Sequence, residues 1–264
     1  MRESPKLIAA LRGRIVAMAG PDSAAMNRIA TGHVAIDAAL GGGLASGRLH
    51  EVFATDPAEA ASAAGFAAML ALRATHRSAA EGLLWLRCDE AERRTGGLYA
   101  PGFAELGGDP DVLLLALAPD PVALLRGAAD AARCAGLGAI LVECWGNPRV
   151  LDLTATRRLT LAAEQSGVAV LLLRIDAEPA PSAADTRWQV RAAPSAALEA
   201  NAPGQAAFDV ELLRQRAGLG GLAWRVEWDR ERCAFREPAL SGAMVSLPQR
   251  GPAAGDLRPV RNIA

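Results

Sequence analysis

The chain has 264 residues, of which 51% are apolar and 22% charged, and its formal net charge is −1. This length allows one large domain with short additions at its ends, or two small domains, and the apolar fraction is ample for a buried core. The small net charge excludes a global electrostatic attraction to nucleic acid. Unbroken apolar stretches such as residues 112–118 are too short to cross a bilayer, so no membrane partner is expected.

Charged side chains interrupt the apolar positions of residues 1–20. This spacing leaves no apolar core of the kind that a secretory signal peptide requires, so the sequence predicts a cytoplasmic protein. The same segment repeats Leu7, Leu11 and Ile15 at helical spacing, which predicts a short amphipathic helix. We expect the helix to end at Gly20-Pro21.

The four cysteines lie far apart and form no CxxC pair, a pattern that favours reduced, mostly buried thiols over a zinc site or a disulfide. They are Cys88, Cys134, Cys144 and Cys233. Lysine occurs once, as Lys6, among 28 basic residues. A catalytic scheme that needs a lysine in the core therefore has none available.

Short β runs alternate with helical stretches through the middle of the chain, which predicts a parallel sheet with helices on both faces. The predicted strands are 48–54, 82–87, 111–117, 138–144 and 168–175, and the predicted helices are 57–77, 100–106, 120–135 and 150–166. We expect 48–54 to be the central strand. Three later β runs follow one another without helices, which predicts an antiparallel extension of the same sheet. These runs are 186–192, 206–216 and 222–229.

The predicted organisation has three parts: an N-terminal helix and linker over residues 1–30, an α/β domain over 31–237, and a flexible tail over 238–264. The tail is rich in Pro, Gly and Arg, yet it keeps a few apolar positions that can order on a partner. The candidate partner-binding residues at the two termini are Leu7, Leu11, Ile15, Leu257, Arg258, Val260, Arg261 and Ile263. Two alternatives stay open: the N-terminal stripe folds back on its own core, and the tail is inert.

Four short motifs within residues 31–53 stand in the order that they have before the central strand of RecA recombinases. They are Thr31-Gly32, Asp37 with Leu40-Gly41, Gly42-Gly43-Leu44, and Gly47-Arg48. This segment therefore resembles the RecA recombinase family. The resemblance implies a RecA-like, mostly parallel central sheet flanked by helices.

The phosphate-binding loop of active RecA relatives, GxxxxGK[ST], follows that central strand and binds phosphate through its backbone N–H groups, its lysine and its hydroxyl. The aligned residues here run from Ala54 to Ala61; both glycines are absent, Ala60 stands at the lysine position and Ala61 at the hydroxyl position. Asp56 is a favourable helix N-cap, and Glu59 three residues later completes a capping-box pattern. We therefore predict neither a nucleotide cofactor nor ATPase activity.

Two other ATPase positions have carboxylate counterparts. Glu90, just after the strand 82–87, matches the water-activating carboxylate of the RecA family, and Glu143 matches the magnesium-binding aspartate. Without the phosphate-binding loop we interpret both as relics or structural carboxylates, with a simply solvated side chain as the alternative. No metal site is predicted.

The counterparts of the DNA-binding loops, residues 145–150 and 176–186, are short and do not combine several arginines with aromatic residues. We therefore expect DNA contact to be weak or indirect. Trp145 could stack on a base, but the preferred interpretation is packing.

The segment 185–195, DTRWQVRAAPS, resembles ImuA, a family similar to both the RecA recombinases and the SulA cell-division inhibitors. The turn at 218–221 and the strand that carries Trp224 and Trp228 belong to the same resemblance, which covers about residues 30–235. It implies a role in the SOS DNA-damage response, in mutagenic translesion synthesis. The implied partners are ImuB, a catalytically inactive Y-family polymerase homologue, an error-prone replicative-type polymerase, and RecA itself.

Rival interpretations remain from other functional classes. One is a SulA-like inhibitor that binds the division protein FtsZ. Another is a divergent ATPase with unorthodox phosphate contacts, for which Arg48 is the candidate. The sequence leaves self-association of the chain open.

Overall fold

The computed structural model describes residues 28–76, 78, 82–195, 202, 204–216, 218 and 220–238. The predicted N-terminal helix and nearly all of the predicted tail lie outside these residues. The same holds for every candidate partner-binding residue of the two termini, namely Leu7, Leu11, Ile15, Leu257, Arg258, Val260, Arg261 and Ile263.

The described residues form eleven strands and six α-helices. The strands are β1 (Arg28–Ile29), β2 (Leu44–Ala45), β3 (Leu49–Ala54), β4 (Gly82–Cys88), β5 (Leu113–Ala118), β6 (Leu137–Trp145), β7 (Ala169–Ile175), β8 (Thr186–Ala192), β9 (Ala207–Gln215), β10 (Leu222–Asp229) and β11 (Ala234–Arg236). The helices are α1 (Val34–Ala39), α2 (Ala60–Thr75), α3 (Asp89–Thr95), α4 (Ala100–Glu105), α5 (Pro121–Ala131) and α6 (Leu153–Ser166). Short 3₁₀ turns at Pro57–Glu59 and Pro110–Val112 precede α2 and β5.

Nine strands form one sheet in the order β11-β10-β9-β8-β3-β7-β6-β4-β5. Strand β3 lies in the middle and pairs in parallel with both β7 and β8, as predicted for the central strand. From β8 to β11 the pairing is antiparallel, which confirms the predicted extension. The predicted α/β architecture, a mostly parallel sheet with an antiparallel extension, is confirmed.

Helices cover both faces of the parallel half. Helix α2 packs over β6, β7 and β8 on one face, whereas α5 and α6 cover the other. Strands β6 and β7 are buried at every position because both of their faces are covered, which explains their continuous apolar sequences. Within the described residues no helix has the length and hydropathy to cross a membrane.

Helix α3 and strand β11 were not among the predicted elements. Helix α3 has the sequence DEAERRT, and Ala91 is its one buried residue, so it carries no apolar periodicity. Its acidic first turn and basic last turn suit the helix dipole instead. The predicted strand 111–117 begins only at Leu113, because Asp109 accepts the N–H of Asp111 at 2.9 Å and holds a 3₁₀ turn before it.

Within the segment 185–195, Thr186–Ala192 form strand β8, and residues 186–190 belong to the core while the following residues are exposed or half-buried. The Thr186 hydroxyl lies 2.8 Å from Nδ1 of His50 and accepts the indole N–H of Trp188 at 2.9 Å. Trp188 is fully buried and its ring lies 6.2 Å from that of Phe66 on α2. Burial lowers the pKa of His50, which keeps this imidazole neutral inside the sheet.

A buried charge cluster, Glu51 with Arg174 and Arg187, lies on the opposite face of the sheet from Trp188. Glu51 Oε2 lies 2.9 Å from Nε of Arg187 and accepts the hydroxyl of Ser182 at 2.7 Å, while Oε1 lies 3.9 Å from Nη1 of Arg174. Sequence reasoning missed this cluster. A usable signal was present, since Glu51 and Arg174 each stand inside a largely apolar strand, and Glu51 and Arg187 are register partners.

The cysteines are free thiols. Burial raises the pKa of Cys88 to about 12 and that of Cys144 to about 11, so both thiols stay protonated at neutral pH. The predicted burial is confirmed for these two, whereas Cys134 is exposed and Cys233 half-buried.

Candidate functional site

Residues 54–61, the counterpart of the phosphate-binding loop, are called the degenerate loop below. They lie at the carboxyl end of β3, the edge at which open α/β sheets bind ligands. Strand β3 ends at Ala54, and two residues later Asp56 begins the 3₁₀ turn that leads into α2. Ala60, at the lysine position of an active loop, is buried, and Ala61 is exposed. The loop therefore stands where the RecA resemblance places it.

The backbone N–H groups of this loop are bound by the protein itself. The N–H of Ala58 donates to Asp56 Oδ1 at 2.8 Å, and that of Glu59 donates to the Asp56 carbonyl at 3.0 Å. The next N–H, of Ala60, donates to the carbonyl of Pro57. Asp56 is confirmed as an N-cap, and three consecutive donors that could face a phosphate are occupied.

The predicted capping box is wrong in its second half. Glu59 does not reach back to the N–H of Asp56; its Oε2 accepts the backbone N–H of Ala192, at the end of β8, at 2.6 Å. The 3₁₀ turn explains the difference, because Glu59 ends that turn and directly precedes α2 instead of standing at N3 of a regular α-helix. Its carboxylate thereby ties the degenerate loop to the sheet.

Replacing Asp56 by Ala should destabilise the fold by about 1 kcal/mol, because Ala58 loses its side-chain acceptor. Denaturant melts of the two proteins measure this difference. Asp56→Asn keeps an acceptor and serves as the matched control, with a much smaller expected loss. A loss of no more than about 0.3 kcal/mol for the Ala variant would show that the cap contributes nothing.

Glu143, the counterpart of the magnesium-binding aspartate, is bound on both carboxylate oxygens. Its Oε2 accepts from Nε of Arg87 at 2.9 Å and from the Trp85 indole at 3.1 Å, and its Oε1 accepts from the Trp145 indole at 3.3 Å. Arg87 also donates a hydrogen bond from Nη2 to the hydroxyl of Thr95 at 2.6 Å. Glu143 is 2% exposed, so the solvated interpretation is wrong for this residue.

Glu90, the counterpart of the water-activating carboxylate, is exposed and paired within its own helix. Arg94, four residues later on α3, donates to Glu90 Oε1 at 3.0 Å and 2.8 Å. The Arg94 guanidinium also lies 4.9 Å from the ring centroid of Trp145. Trp145 is buried beneath it, which confirms packing as the role of this tryptophan.

A small hollow of about 170 Å³ remains between the start of α2 and the ends of β4 and β6. Glu143 and Arg87 lie on its wall, together with Ala60, Ala61 and Tyr99. Ligand pockets usually have volumes of about 300–1,000 Å³. The space beside the degenerate loop is therefore small for a nucleoside triphosphate.

Arg48, the alternative phosphate contact, stands at the wrong end of β3. It precedes Leu49, while the loop follows Ala54, so six residues of extended strand put it about 20 Å away. Arg48 instead pairs with Glu164 on α6. This geometry removes Arg48 as a contact for a phosphate at the loop.

Comparison with known proteins identifies the fold. No protein-family model matches the chain, and no curated protein sequence matches it significantly. The crystal structure of the RadB recombinase superposes on 80% of this chain and 100% of its own, with a TM-score of 0.53 and 13% sequence identity. This likeness confirms the RecA-like fold predicted from residues 31–53.

Proposed function

We propose that this chain is a non-catalytic RecA-like protein that works by binding partners in the SOS DNA-damage response, in the manner of ImuA. The carrying observation is the degenerate loop, whose N–H groups at residues 58–60 are bound by Asp56 and Pro57. A phosphate arriving there would have to displace these acceptors. It would meet the carboxylates of Asp56 and Glu59 and no lysine.

ATP hydrolysis also requires a carboxylate that is free to bind magnesium, and Glu143 is not free. The Arg87 guanidinium already neutralises Glu143 in a buried pair, and the two tryptophan N–H groups occupy further acceptor positions. Binding a magnesium ion at Glu143 would require this pair to break, which is costly in a buried site. These contacts support the proposal that the RecA-like fold is kept as a scaffold.

The proposed partners are an ImuB-like Y-family polymerase homologue, an error-prone replicative-type polymerase and RecA, with DNA contacted weakly or through them. The protein would act in the cytoplasm and join the nucleoid when recruited to damaged DNA. The exposed edge of the sheet supports partner binding. Among the strands that the structure describes, β5 is an edge strand paired with β4, and Leu114, Leu115 and Leu117 on it are 55%, 44% and 49% exposed.

Calorimetric titration of the full chain with magnesium and ATP should give no saturable heat at millimolar nucleotide, whereas titration with ImuB should give a saturable signal. An active RecA recombinase is the positive control for nucleotide. Saturable ATP binding that disappears in Glu90→Gln would contradict the non-catalytic assignment and favour a divergent ATPase. Binding to FtsZ with no binding to ImuB would replace the translesion role by the SulA-like one.

A further inference from the structure

A groove of about 390 Å³ lies beside α6, on the side where the sheet continues into its antiparallel extension. One wall is the face of α6 that carries Leu153, Arg157 and Leu161. The other is formed by residues 182–184 and by Arg214 and Arg216 from the end of β9. The groove shares no lining residue with the hollow at the degenerate loop.

The walls of this groove are joined by hydrogen bonds. The N–H of Ala183 donates to the Thr156 hydroxyl at 3.1 Å, and the Thr160 hydroxyl donates to the Ala183 carbonyl at 3.3 Å. The N–H of Arg216 donates to the carbonyl of Asp185 at 2.8 Å. The segment between the helix and the strand is thus held at both ends, and the groove is preformed.

The groove is strongly basic. Arg157, Arg214 and Arg216 are exposed, and within the described part of the chain none of them has an ion-pair partner. The carboxylate of Glu164 at the same wall is neutralised by its pair with Arg48. Three positive charges around one concave surface favour an anionic occupant.

The groove also exposes two large apolar side chains. Leu153 and Leu161 are 49% and 52% exposed, although each is a large apolar side chain on a helix that buries its other face. They stand eight residues apart on α6, about 12 Å along its axis, and Arg157 lies midway between them. A phosphodiester backbone would satisfy the arginines but would leave both leucines in water.

We propose that this groove binds an acidic, leucine-bearing segment of a partner protein. Carboxylates of the segment pair with Arg157, Arg214 and Arg216, and its apolar side chains cover Leu153 and Leu161. The proposal goes beyond the partner-binding function above and stands even if the DNA-damage role is wrong, because only the chemistry of the groove carries it.

The test uses fluorescein-labelled synthetic helical peptides with two leucines seven residues apart and glutamates between them, titrated with the full chain in anisotropy measurements. A second peptide has Ser in place of both leucines. A single-stranded oligonucleotide of equal charge represents phosphodiester binding. The leucine peptide should bind at least about tenfold more tightly than the serine peptide.

The protein variants complete the test. Arg157→Glu with Arg214→Glu, and separately Leu153→Ser with Leu161→Ser, should each weaken peptide binding at least about tenfold. Arg158→Glu is the matched control, since Arg158 is also exposed, neighbours Arg157 on α6 and does not line the groove. It should leave the affinity unchanged. Absence of peptide binding, equal affinity for the serine peptide, or tighter binding of the oligonucleotide overturns the proposal.

Discussion

Replacing Arg87 by Met should destabilise the protein by about 3–5 kcal/mol, because it leaves the Glu143 carboxylate buried without its cation. Both side chains are nearly inaccessible, at 5% and 2% exposure, so solvent cannot compensate the charge. The measurement is the free energy of unfolding from denaturant titrations. Arg94→Met removes the exposed pair with Glu90 together with the contact over the Trp145 ring and serves as control, with an expected loss of about 0–2 kcal/mol.

A double-mutant cycle separates the ion pair from packing. Arg87→Met with Glu143→Leu removes both charges together, and the double variant should be more stable than the Arg87 variant alone. If the single variant lost no more than the Arg94 control, Glu143 would not depend on Arg87 for its burial. The interpretation of Glu143 as a structural carboxylate would then fail.

The elements of the parallel half could be predicted from the sequence because their signals are local. The five apolar runs from β3 to β7 were each located to within about two residues. The helices between them were found as well, but the predicted ranges of α2, α5 and α6 run three to four residues too long at one end. Helix α3 could not be found in this way. Its stability comes from charges at its two ends and from Glu90–Arg94, and an apolar pattern does not report such contacts.

In the candidate site, too, local contacts could be predicted and long-range contacts could not. The N-cap role of Asp56 was predictable, because the acceptor and its donor at Ala58 lie two residues apart. The contact of Glu59 with Ala192 spans 133 residues, and that of Arg87 with Glu143 spans 56. No local pattern pairs residues so distant, so the capping box was assigned wrongly and the neutralisation of Glu143 was not foreseen. Which distant residues meet depends on the order of the strands in the sheet, and the sequence did not predict that full order.

Replacing Trp188 by Ala should destabilise the protein by about 3–5 kcal/mol, the usual cost of removing a buried aromatic side chain. Trp188 is 1% exposed, packs between Phe66 and Trp224, and donates its indole N–H to Thr186. Truncation therefore opens a cavity between α2 and the sheet. The free energy of unfolding measures the loss, and Trp224→Ala, at a half-buried position, should cost clearly less.

The same variant tests the role of the segment 185–195. If β8 is there to build the core, Trp188→Phe should recover most of the stability lost in Trp188→Ala, because a smaller ring still fills much of the cavity between α2 and the sheet. The proposed binding to ImuB should then follow stability, and the Phe variant should bind as the unmodified chain does. A stable Trp188→Ala variant that loses ImuB binding would instead assign this tryptophan to a partner contact, which requires β8 to separate from α2 and expose it. The 0% exposure of Val190 on the same strand argues against such an opening, since it too would have to leave the core.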